Sequence, residues 1–177
     1  MPQFEVGQNV IHPTHGAGEV IGIEQMDLLE EFNRYYVIAF DAKRLTLRIP
    51  VRKVDELKIR RVMSQEKLSQ VLTTLCSMPQ KLPSHFKARR REVEELIQSG
   101  YPNKIAQAVR ELTWREQNDR LNKIDMKLLS QGREMLIREI ALVTGNDQTK
   151  ARERLERALA QAMATKAQQQ PVEVVTA

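Results

Sequence analysis

Between Lys81 and Arg91 the chain reads Lys-Leu-Pro-Ser-His-Phe-Lys-Ala-Arg-Arg-Arg, with five basic residues, no acidic one and a single aromatic, Phe86. Basic side chains neutralise phosphates, and an apolar side chain among them can lean on or enter a base step. That combination suits contact with a DNA minor groove. The plain structural alternative is a solvated, basic first turn of a surface helix with Phe86 as its core anchor. Phe86 lies seven residues before Val93, so helical spacing permits either reading.

Other chemistry is less well supported. The histidines are His12, His15 and His85. His12 and His15 flank Pro13 in an expected turn, and without a third ligand nearby they read as a turn pair with no metal. Gly16-Ala17-Gly18 lacks the rest of a phosphate-binding loop and opens no helix, and no serine sits in a nucleophile elbow. The carboxylates lie three or four positions from basic residues, as surface ion pairs require. Catalysis is set aside, and no cofactor or metal is expected.

The elements that must position these residues follow from composition and period. The 177 residues are 41% hydrophobic and 29% charged, with net charge +5, which points to a globular protein with a polyanionic partner. No apolar run is long enough to span a bilayer, and the first residues are read as carrying no signal peptide. The lone Cys76 excludes an internal disulfide and reads as a small core residue. A cytoplasmic, nucleoid-associated monomer is expected.

The chain divides near residue 62. Residues 4 to 60 carry strand signals. Tyr35–Phe40 is rich in β-branched and aromatic residues, and Leu45–Pro50 alternates with Thr46 and Arg48 on one face. Asp41–Arg44 is a short hairpin connection between them. From Ser64 the period becomes helical. Ser64 and Ser84 are expected to cap the first two helices, and Pro102 to open the third. Asn122 followed by Asp125 should open the fourth, which ends at Gly145, and Asp147 should open the fifth. The expected architecture is α+β: a Tudor-like small barrel or bent sheet over residues 1–61, then a compact all-α bundle of about five helices over 64–165. A disordered tail is expected over 166–177. Trp114, beside Val109 and Leu112, reads as core packing.

The opening Phe4-x-Val6-Gly7-x-x-Val10-Ile11-His12-Pro13-x-His15-Gly16-Ala17-Gly18 resembles the start of the CarD family of bacterial transcription regulators. It is also similar to the polymerase-interacting module of transcription-repair coupling factors. The resemblance continues through Leu45–Pro50, Ser99-Gly100, Ile105-Ala106, Val109–Leu112, Trp114-Arg115 and Arg133–Leu136 with Glu139–Ala141, to about residue 163. Coupling factors carry helicase motors that a chain of this length has no room for.

The resemblance implies a β module that binds the RNA polymerase β subunit and a helical domain that touches promoter DNA at the upstream edge of the bubble. There a tryptophan wedges into the minor groove and slows bubble collapse. Phe86 matches that position, a departure that keeps an apolar face but removes the indole N–H donor. Ala88 stands where a basic residue is common, and Met26 where an arginine often meets polymerase. The implied DNA-contacting residues are Phe86, Lys87, Arg89, Arg90, Arg91 and Lys127. The implied polymerase-binding residues are Val37, Arg44, Thr46, Arg48 and Pro50. The rival readings are a polymerase-binding or adaptor protein acting through protein contacts only, and a Tudor-like adaptor unconnected with transcription.

Overall fold

The computed structural model describes residues 3–29 and 32–169, with the side chains of 27–29 and 32 left aside. Its first half is one antiparallel sheet of five strands: β1 (Asn9–His12), β2 (Gly16–Leu29), β3 (Phe32–Phe40), β4 (Leu45–Pro50) and β5 (Arg60–Arg61). Their order in space is β4-β3-β2-β1-β5. The 14-residue β2 serves two partners. Its first residues pair with β1 and the rest with β3, with register shifts after Val20 and after Gln25. Such irregularities bend a strand, so a short chain can wrap around a core.

Alternation along β3 sends Tyr36, Ile38 and Phe40 inward, where they meet Phe4, Val10, Val20, Ile49, Val54 and Ile59. The Tyr36 hydroxyl accepts from the Phe4 backbone N–H at 2.9 Å, and the two rings lie 5.4 Å apart. Phe40 presses on Gly18, where a Cβ would come within 2.7 Å of its ring. The β1–β2 turn is held by His12, whose Nδ1 accepts from the N–H groups of Thr14 (3.1 Å) and His15 (3.3 Å). That nitrogen is thus committed to the turn. Burial, then the charges of His15 and Lys43, push the His12 pKa down to about 4.

The second half is helical: α1 (Gln65–Cys76), α2 (Phe86–Gln98), α3 (Pro102–Asn118), α4 (Lys123–Thr144) and α5 (Gln148–Gln169). The expected caps at Ser64 and Asn122 form: Ser64 Oγ accepts from Lys67 N, and Asn122 Oδ1 from Ile124 N and Asp125 N. Asp147 caps α5 through Lys150 N at 2.8 Å, Pro102 opens α3, and Gly145 ends α4 in the left-handed region. Ser84 does not cap α2. His85 holds the N-cap position, and the Ser84 carbonyl instead accepts from Arg89. α5 runs to Gln169, through the first four residues of the expected tail, and residues 170–177 lie outside the described residues. Leu68, Val71, Leu75, Val93, Ile97, Val109, Leu112, Leu136, Ile140 and Leu155 form one core across all five helices.

One carboxylate ties the two halves together. Glu139 of α4 accepts from Arg60 Nη1 (2.6 Å), Arg60 Nη2 (2.9 Å) and the Met63 N–H (2.8 Å). Arg60 Nε also donates to the Gly100 carbonyl at 2.8 Å, at the α2–α3 turn, where Gly100 has φ +73°.

Two predictions follow from these contacts. Glu139→Gln keeps the shape but leaves Arg60 without its counter-charge, and it should lower unfolding free energy by roughly 3 kcal/mol in urea melts. His12 is neutral when folded and binds a proton more readily when unfolded. Its contribution to stability is therefore complete above about pH 6.5 and lost progressively toward pH 4. The thermal midpoint should fall between pH 7 and pH 5, and His12→Asn should flatten that slope.

Candidate nucleic-acid and partner interfaces

Phe86 is the first residue of α2 and remains 45% exposed. The buried stripe of α2 starts at Arg89 and continues through Val93 and Ile97, so Phe86 is no core anchor. No acidic residue lies in the first turn, and no side chain caps it. The leading N–H groups therefore have no side-chain cap, and Lys87 stands in the same turn, a combination that suits an anion.

The three arginines that follow have two separate fates. Arg91 is exposed and pairs with Glu95 at 3.0 Å; Arg90 is exposed and pairs with Glu94 at 2.9 Å. Both are i,i+4 surface pairs, which exchange easily with another anion. Arg89 differs, and its expected role as a DNA contact is corrected. It is 4% exposed, donates from Nε to Asp125 Oδ2 at 2.9 Å, and spends Nη1 on the Pro83 and Ser84 carbonyls. Its position, three residues after Phe86, turns it inward against α4. Lys127, one turn into α4, is exposed and lines a groove with Arg90, Ile124 and Gln131. Phe86, Lys87, Arg90, Arg91 and Lys127 thus remain available on the α2–α4 side of the bundle.

The partner-facing candidates sit at the other end of the chain. β4 is an edge strand, paired only with β3, so one row of its backbone groups is open. Thr46 and Arg48 are exposed and Pro50 is half-buried. Arg44 is exposed just before β4, at φ 49°, closing the hairpin by donating its N–H to Asp41 O. Arg48 Nε donates to Glu24 Oε2 at 2.8 Å, and that hydrogen bond and charge raise its pKa further. Val37 is corrected as a contact. It lies on β3 between Gly22 and Arg48, paired on both sides and 5% exposed, so neither its backbone nor its side chain is open.

Trp114 is also corrected as a core residue. It is half-buried and lines a groove with Lys81, Leu82, Arg115 and Lys166. Among the described residues, no group of three or more His, Cys, Asp or Glu side chains could hold a metal ion.

Known proteins share this organisation. Residues 4–63 match the CarD-like/TRCF RID domain, and residues 70–156 match the CarD C-terminal domain. "Putative transcription factor YdeB" of Bacillus subtilis (strain 168) is 30% identical over 142 residues, 80% of this chain and 93% of that protein. The chain belongs to the CarD family. The family is one of transcription regulators, and its N-terminal module is the Tudor-like one shared with the coupling factor. Both halves of the chain are therefore accounted for by one family in the order in which they occur.

Sequence reasoning missed the partners of the arginines. Asp125 was legible as a helix-capping residue, but its pairing with Arg89 spans 36 positions and no local pattern encodes it. Glu24 opposite Arg48 and Glu139 opposite Arg60 are long-range in the same way. The exposure of Phe86 makes a stability prediction. Phe86→Ala should cost about 1 kcal/mol or less in chemical unfolding, whereas Leu112→Ala, in the core, should cost about 2–5 kcal/mol.

Proposed function

We propose that this protein binds the β subunit of RNA polymerase through the β4 edge and contacts promoter DNA near the upstream edge of the transcription bubble through the tip of α2. In this way it modulates open-complex stability at initiation. The observation that carries the reading is Phe86, a half-exposed aromatic at the start of an uncapped helix, with Lys87, Arg90, Arg91 and Lys127 around it. A phenyl ring 45% exposed among cations matches the chemistry of an apolar wedge with phosphate anchors.

On the polymerase side, Thr46, Arg48 and Pro50 lie along the open edge, with Arg44 at its entrance. Strand addition there supplies backbone hydrogen bonds, and Arg48 can exchange Glu24 for a carboxylate on the partner. Tethering raises the local concentration of the α2 tip at the DNA, so its few contacts need not be tight. The wedge favours the open complex only to the extent that it binds the opened junction better than closed duplex. This reading needs no helix that reads base edges, so sequence preference should be slight.

A reading through protein contacts alone draws on the Arg90–Glu94 and Arg91–Glu95 pairs, which reduce the charge on offer to DNA. Two variants separate the readings. Arg48→Glu should weaken capture of core polymerase at least about tenfold, the scale of one charge-assisted contact reversed, with the melting midpoint nearly unchanged. Phe86→Ala should leave capture intact and shorten open-complex lifetime after competitor challenge, and Phe86→Trp should preserve or lengthen it. An unchanged lifetime with Phe86→Ala would favour the protein-only reading.

A further inference from the structure

Phe86 stands at the end of an irregular stretch. From Ser77 to His85 the chain forms neither helix nor strand, yet it must deliver the first turn of α2 to a fixed place. Two buried ion pairs hold it. At its start Arg110 donates to Thr74 O (2.8 Å) and to the Ser77 hydroxyl, and pairs with Glu111. The second oxygen of Glu111 accepts from Gln80 N at 2.7 Å. At its end Arg89 donates to Pro83 O (3.1 Å), Ser84 O (2.9 Å) and Asp125 Oδ2 (2.9 Å). Asn122, the cap of α4, donates to the same Asp125 oxygen at 3.0 Å.

The two clusters differ in what they reach. Arg110 and Glu111 close the end of α1. Arg89 grips the two carbonyls just before Phe86 from a position three residues after it, so the backbone on both sides of the aromatic is tied to α4. We propose that Arg89 and Asp125 are positioning residues for Phe86. Neither touches DNA; together they hold the aromatic in the orientation in which it meets the opened duplex. This rests on the reading of Phe86 as the DNA contact. The physical reason is preorganisation. A wedge that is free to reorient loses that freedom on binding, and the loss subtracts from the discrimination between open and closed DNA.

The charge arithmetic gives a test with opposite signs. If Arg89 were a phosphate contact, Asp125→Asn would free a cation, raise net charge by one and strengthen DNA binding. If Arg89 positions Phe86, Asp125→Asn weakens the function although it makes the protein more basic. In the full-length protein, Asp125→Asn and Arg89→Lys should each bring open-complex lifetime to within about twofold of the Phe86→Ala value, with polymerase capture unchanged. Adding Phe86→Ala to Asp125→Asn should shorten it no further. A longer lifetime with Asp125→Asn, or wild-type lifetime with both single variants, overturns the proposal. So does a further loss in the double variant, because Asp125 would then act through the fold at large.

A second measurement is independent of promoter function. A spin label at position 86, in Phe86→Cys with Cys76→Ser, reports local order in the free protein. Asp125→Asn, or Arg89→Lys should Asp125→Asn fail to fold, is expected to increase the label's mobility. Unchanged mobility overturns the proposal. Increased mobility together with a normal Phe86→Ala lifetime would leave the positioning intact and sink the wedge instead.

Discussion

One buried carboxylate links the sheet of this protein to its helical bundle. Glu139 is 2% exposed and accepts three hydrogen bonds, two from the Arg60 guanidinium and one from the Met63 amide, while Arg60 reaches on to the Gly100 carbonyl. The last strand, the link into α1, the α2–α3 turn and the middle of α4 therefore converge on one charge pair. A buried ion pair adds little net stability over an apolar contact of the same shape, but it accepts few alternative geometries. Here the pair bridges the sheet and the bundle. The β4 edge and the α2 tip are carried on one frame.

The arginines show how one side-chain type is divided between fold and surface. Arg60, Arg89 and Arg110 turn inward and take backbone carbonyls as well as carboxylates, which the planar guanidinium with its five donors can do at once. Arg48, Arg90 and Arg91 stand outside in exposed pairs that water and salt weaken. The net positive charge of the chain is thus a poor guide to which cations meet a partner. Burial decides it, and burial is set by contacts far apart in sequence.

That explains what the sequence revealed and what it did not. The change from alternating to helical period near Met63 placed the strands and all five helices, and the caps at Ser64, Asn122 and Asp147 followed from local chemistry. The exposure of Phe86 decides between two readings that helical spacing left open. Arg89 departs from the sequence reading, because its neighbours Arg90 and Arg91 look identical to it in a basic run and only the helical phase relative to α4 separates them. Val37 failed for the complementary reason. It shares a face with Arg48, but β3 is paired on both sides. Trp114 read as core from apolar neighbours at helical spacing, yet it lies at the rim of the bundle, half-covered.

The proposed mechanism asks little of any one contact. An edge strand supplies the tether, and a short helical tip supplies an aromatic with a few cations, so the effect at DNA depends on where the tip is held. The most direct test replaces Phe86 with a photoreactive phenylalanine analogue and irradiates the full-length protein in an initiating polymerase–promoter complex. The account predicts a crosslink from position 86 to promoter DNA at the upstream edge of the bubble. A crosslink from that position to polymerase alone would contradict it.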